Sequence, residues 1–144
     1  MKRTAFTAAM VAVAVVASIG TALALTSRST TRSGAFTFTA VQTVNHGFSN
    51  GHAVASDREV SGGKLIGTDT LLCIPSGKTS ATCNVTASYN AGQIYGVFTE
   101  NVKTGALTGK VTGGTHRYNG ATGTISGTAI SATKEKVSIT YQTP

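Results

Sequence analysis

Only five of the 144 residues are acidic, there is no tryptophan, and there are just two prolines and two cysteines. Five carboxylates are a small stock for an enzyme that works through paired acids. His46, His52 and His116 are the only histidines, and their spacing matches no common metal-ligand pattern, so no metal is expected. Ser126-Gly127 lacks the flanking residues of a hydrolase elbow. No basic run is interleaved with aromatics, as a single-strand groove requires, so nucleic acid is not an expected partner. After the first two dozen residues no apolar stretch is long enough to span a bilayer, which takes about 20 residues.

Those first residues read as an export leader. Met1, Lys2 and Arg3 open with positive charge, an apolar run follows from Ala8 to Ile19, and Thr21-Ala22-Leu23-Ala24 supplies small residues for cleavage. Cleavage after Ala24 leaves 120 residues, enough for one domain with a modest core, and no Cys stands at the new terminus to take a lipid. The expected organisation is a signal peptide over 1–24, a loose polar arm over 25–35 and one domain over 36–144, secreted to the cell exterior. Without Lys2 and Arg3, ten basic residues face five acidic ones, a net +5. The basic side chains are scattered along the chain and read as a solvated surface.

The remainder is rich in Gly, Thr, Ser and Val, and runs of β-branched and aromatic residues alternate with turn residues. Strands are expected near 36–44, 53–60, 64–74, 80–89, 93–100, 105–112, 121–132 and 135–142. Ser49-Asn50-Gly51, Ser61-Gly62-Gly63, Asn90-Ala91-Gly92 and Asn119-Gly120 supply turn chemistry between them. No window has a helical period. The fold class is therefore all-β, and about eight strands with short connections suit a single closed antiparallel barrel, with a two-sheet sandwich as the alternative. Period-2 alternation places Ala81, Cys83, Val85, Ala87 and Tyr89 on one inner face. It places Val137, Ile139 and Tyr141 on another, and Ala121, Gly123, Ile125, Gly127 and Ala129 on a third.

A hairpin centred on Lys78 sets Cys73 opposite Cys83, and in an exported chain that placement predicts a disulfide. Its short loop limits the stabilisation to about 2–3 kcal/mol. The same register turns Leu65, Gly67, Asp69 and Leu71 inward, with Asp69 opposite Ala87. An inward carboxylate needs a partner or a raised pKa, which makes Asp69 the candidate catalytic acid; hydrogen bonding to backbone near a bulge is the structural alternative. Asp57-Arg58-Glu59 reads as a solvated strand end. Asn84-Val85-Thr86 matches a glycosylation sequon, relevant only in a host that modifies such sites.

The most specific stretch is Val111-Thr112-Gly113-Gly114-Thr115-His116-Arg117-Tyr118-Asn119-Gly120-Ala121-Thr122-Gly123-Thr124. With Gly67-Thr68-Asp69, the cysteine pair and Ala91-Gly92-Gln93-Ile94, it resembles the allene oxide cyclase-like and dirigent-like β-barrel family of secreted bacterial proteins. His116 stands where that family's turn usually has glycine. The turn lacks the Lys-Ser/Thr of a phosphate loop; Gly113 and Gly114 are expected to let the chain reverse, with Gly120 as a further structural turn residue, Ala121 and Gly123 allowing close approach and Tyr118 tucked against one barrel end. The resemblance implies a calycin- or dirigent-like barrel that binds a small apolar molecule and steers its cyclisation or isomerisation. It carries over no catalytic residue by motif and calls for no cofactor. Tyr89, Tyr95 and Tyr141 are the candidate ligand contacts in the lumen. A homo-oligomer is compatible with the sequence. The alternative is a non-catalytic extracellular binding or structural protein with a filled barrel, since eight strands either fill with side chains or hold one small ligand.

Overall fold

The computed structural model describes residues 31–144, so the expected leader and most of the arm lie outside the described residues. The strands are β1 (Arg32–Ser49), β2 (His52–Ser61), β3 (Lys64–Pro75), β4 (Ser80–Tyr89), β5 (Gly92–Asn101), β6 (Ala106–Gly114), β7 (Thr122–Ser131) and β8 (Lys134–Thr143). Each pairs antiparallel with the next, and β8 returns to β1 to close a barrel. The sandwich alternative is excluded. One 3-10 turn, His116–Tyr118, is the helical element among the described residues. β1 starts earlier than the sequence reading placed it. Arg32 to Ala35 pair with Thr143 to Thr140 of β8, so these residues are strand rather than arm.

Alternation defines the core as expected in β4 and β8. Ala81, Cys83, Ala87, Val137 and Ile139 are buried among Phe38, Ile94, Phe98, Leu107, Val111 and Ile125. Fully burying one of the larger side chains contributes about 1.5–3 kcal/mol. Cys73 faces Cys83 across β3 and β4, and the two are bonded. Asn50 and Gly51 both take positive φ, the conformation that a two-residue hairpin loop requires.

A bulge overturns one expectation about facing. Glu59 pairs with Gly67 but Val60 pairs with Leu65, so Ile66 is an extra residue and Leu65 swings outward, 56% exposed. Ala129 pairs with inward Glu135 and so keeps its expected face, but it lies at the open rim and is exposed. Gly113 and Gly114 do not form the reversal; they end β6, where a side chain on Gly114 would collide with Tyr118 and the Gln93 carbonyl. The chain turns instead through His116, which takes the left-handed conformation at φ 50°, and through Gly120 at φ 68°.

The two ends of the barrel differ. The β2–β3, β4–β5 and β6–β7 connections gather at one end, which an aromatic cluster closes. Phe36 stacks on Tyr89 at 4.9 Å and on Tyr141 at 5.6 Å between ring centroids, and Tyr118 meets Tyr141 edge-on at 5.2 Å. Tyr118 is buried against this end, as the sequence predicts. The β1–β2, β3–β4, β5–β6 and β7–β8 connections ring the other end, which is open.

Candidate functional site: an acid-lined lumen

The inner face of β2 reads Ala53, Ala55, Asp57, Glu59, with Arg58 turned outward between the two acids. The reading of Asp57-Arg58-Glu59 as a solvated strand end is therefore wrong: Asp57 is 7% exposed and Glu59 is completely enclosed. Asp69, on β3, is 8% exposed and lies opposite Ala87, as the register predicts. Glu135 at the start of β8 and Glu100 near the end of β5 are half-buried on the same inner surface. All five acidic residues of the protein thus point into the barrel, while all nine Lys and Arg among the described residues are exposed.

Small neighbours make room for the acids. Ala40 of β1 stands between Glu59 on one side and Glu135 on the other. Asp57 pairs with Asp69, which pairs in turn with Ala87. Gly67 lies between Glu59 and Tyr89 in register, and the absence of a side chain there leaves room for the Tyr89 ring against the strand. The volume that the small inner residues release is thus taken up by carboxylates and aromatic rings. Below the mouth an inner chamber of only about 30 Å³ remains, bounded by Asp57, Glu59, Asp69, Leu71, Phe98 and Glu135 among others. Toward the open end it widens into a cavity of about 250 Å³. Asp57, Glu100, Glu135, Leu71 and Phe98 form its floor and walls, and Phe48, Val102 and Lys134 stand at its rim.

Electrostatics follow from the enclosure. Burial pushes Asp69 up to about 8, reinforced by the charges of Asp57 and Glu59. Burial also raises Glu59 to about 7; Tyr89 and Asp69 beside it pull the other way. Neither forms a hydrogen bond of good geometry with it: both Glu59 carboxyl oxygens, one oxygen each of Asp57 and Asp69, and the Tyr89 hydroxyl are buried without a protein partner. Glu135 rises to about 7 through burial and then through the charges of Glu100, Asp57 and Asp69. Asp57 and Glu100 are shifted upward by burial as well. No Lys, Arg or His lines the inner chamber, so the acids repel one another and protons alone relieve their charge. Among the described residues, no three His, Cys, Asp or Glu side chains come together as metal ligands.

The tyrosines divide. Tyr89 and Tyr141 face inward, but within the aromatic closure at the end opposite the larger cavity. Tyr95 does not reach the lumen: it stands on the outer face of β5, between inward Ile94 and Gly96, and its hydroxyl donates to Gln93 Oε1 at 3.0 Å. A shallower groove of about 400 Å³ at the closed end, bounded by Phe36, Ile66, Tyr89 and Tyr118, offers no carboxylate. Sequence reasoning missed Asp57, Glu59, Glu100 and Glu135. The signal was present in β2, where the small-residue face of Ala53 and Ala55 continues into the two acids.

The chain matches no known sequence family, and no curated protein matches it. Among solved structures, a chain described as pyocyanin demethylase is similar in fold, with a TM-score of 0.65 and 22% identity, covering 75% of this chain and 99% of its own. Among the described residues no helix is long and apolar enough to cross a membrane, and the Cys73–Cys83 bond fits an oxidising compartment. At the level these findings reach, the chain is a closed eight-strand antiparallel barrel similar in fold to that protein.

Proposed function

We propose that the protein is an exported barrel that takes one small molecule into its open end and moves protons on it, directing an isomerisation or cyclisation of the allene oxide cyclase-like or dirigent-like kind. The observation that carries this reading is the convergence of all five acidic side chains on the barrel lumen, some on the open cavity and some on the chamber behind it, with Glu59, Asp69 and Glu135 poised near neutrality. Groups that ionise near the working pH exchange protons readily in both directions. A protonated lumen carboxyl donates to one atom of the ligand while an ionised neighbour removes a proton from another. The net proton count is unchanged, and no oxidant or reductant is needed. Asp57 and Glu135 reach the cavity directly, and Asp69 and Glu59 lie behind them as the proton reserve. The apolar walls at Leu71 and Phe98 hold the ligand body and limit water access.

A second reading, a carrier without turnover, draws on the narrowness of the inner chamber, about 30 Å³. Native mass spectrometry of the protein purified from its producer separates the possibilities. The proposal expects one bound small molecule per chain and conversion of it when the producer's metabolites are supplied. Conversion lost in Asp69→Asn with binding retained supports proton transfer. Binding without conversion in the unaltered protein establishes the carrier. Absence of any bound or accepted molecule refutes both.

A further inference from the structure

The division of charge between the inside and outside of the barrel specifies the ligand more closely. All five acids face the lumen, nine basic side chains face solvent, and the inner chamber has no cationic side chain in its wall. In a barrel that needed only a filled core, inward acids would be replaced by apolar residues at a gain in stability, because each enclosed carboxyl carries a desolvation cost. Asp57 gives a second indication at the cavity itself: it is 7% exposed, one of its oxygens is without a protein partner, and it borders both the chamber and the wider cavity.

We propose that the ligand is a cation: a compact apolar body of about two fused rings' size bearing one positively charged nitrogen, drawn into the open end so that its charge lies against Asp57 and Glu135. This deepens the proposed function and rests on its claim that the lumen binds a small molecule. The cavity of about 250 Å³ fits such a body better than a drug-sized one, since pockets for those run from about 300 Å³ upward. Leu71, Phe98 and Phe48 provide the apolar walls. A cation arriving there favours the ionised form of the carboxyls around it, so binding releases protons. The groups facing that charge are Asp57, Glu100 and Glu135 at the floor, Asp69, Glu59 and the Tyr89 hydroxyl behind them, and Lys134 at the rim. Affinity therefore rises with pH as the lumen carboxyls ionise, and exposed Lys134 opposes it weakly from the rim.

Three naphthalene probes of one shape test the assignment at pH 8 with the whole protein: 1-naphthylmethylammonium, 1-naphthalenemethanol and 1-naphthoate, measured by calorimetry. The ammonium should bind about ten-fold or more tightly than the alcohol, as a charge-assisted contact in a screened site implies, and naphthoate least of all. The preference should collapse in the Asp57→Asn, Glu135→Gln double variant, whose fold is checked by its far-ultraviolet spectrum; should that variant misfold, each single variant should reduce the preference. Equal affinity for ammonium and alcohol overturns the charge assignment and leaves the ligand-binding lumen standing. Preference undiminished in the folded variants overturns it too, by moving the attraction elsewhere. Failure to bind any of the three overturns the lumen-binding reading itself and this inference with it.

Discussion

Asp69 shows how much one residue's setting decides. The register through Cys73 and Cys83 was enough to turn it inward opposite Ala87, and the structure keeps it there. What the register of one hairpin could not convey is that Asp57 faces Asp69 from β2 and that Glu59 follows two residues later on the same inner face. Burial holds the proton on Asp69, and the neighbouring acids reinforce it. Replacing Asp69 by Asn preserves shape and removes the charge that burial penalises. At pH 8 the Asp69→Asn variant should be more stable than the parent by roughly 1–3 kcal/mol, with little difference at pH 4, because a one-unit pKa shift corresponds to about 1.4 kcal/mol. Chemical denaturation at the two pH values measures this. Destabilisation at both would show that the Asp69 carboxylate is a structural acceptor.

At the scale of elements, the strands and most hairpins were legible because period-2 alternation and turn residues are local signals. Asn50-Gly51 is an example, with both residues at positive φ. Bulges were not legible. The extra residue Ile66 reverses the facing of Leu65, and nothing in Lys64-Leu65-Ile66-Gly67 marks which residue will be left unpaired. Tyr95 was misplaced for a related reason: aromatic character suggested a lumen contact, while alternation from Ile94 and Phe98 assigns it to the outer face. The closed end depends on a close approach. A side chain at Gly67 would meet the Tyr89 ring at 2.7 Å and the Ser88 carbonyl at 2.8 Å. Gly67→Ala should therefore lose about 1–3 kcal/mol, as overpacked cores do, and loosen the stack of Tyr89 on Phe36. Thermal unfolding and the near-ultraviolet tyrosine spectrum should both report it; unchanged stability would mean that the ring does not lie over β3.

For the whole molecule, the separation of acids inside from bases outside couples folding to pH. Well below pH 4 both folded and unfolded chains hold the carboxyl protons. As pH rises through the ordinary range the unfolded chain releases them, while Glu59, Asp69 and Glu135 keep theirs until about 7 to 8. The unfolded state then binds fewer protons, so stability falls with rising pH across that interval and levels off above it. The melting temperature should accordingly be higher at pH 5 than at pH 8, the reverse of a protein whose acids are salt-bridged.

Carboxyl carbon resonances followed through a pH titration test the acid-lined lumen most directly, because the protein has only five acidic side chains to assign. The expected result is that Glu59, Asp69 and Glu135 titrate near 7 to 8 and that Asp57 and Glu100 titrate above the ordinary carboxyl range. Five carboxyl groups titrating together near pH 4 would mean that they stand in water, and would contradict the account at its centre.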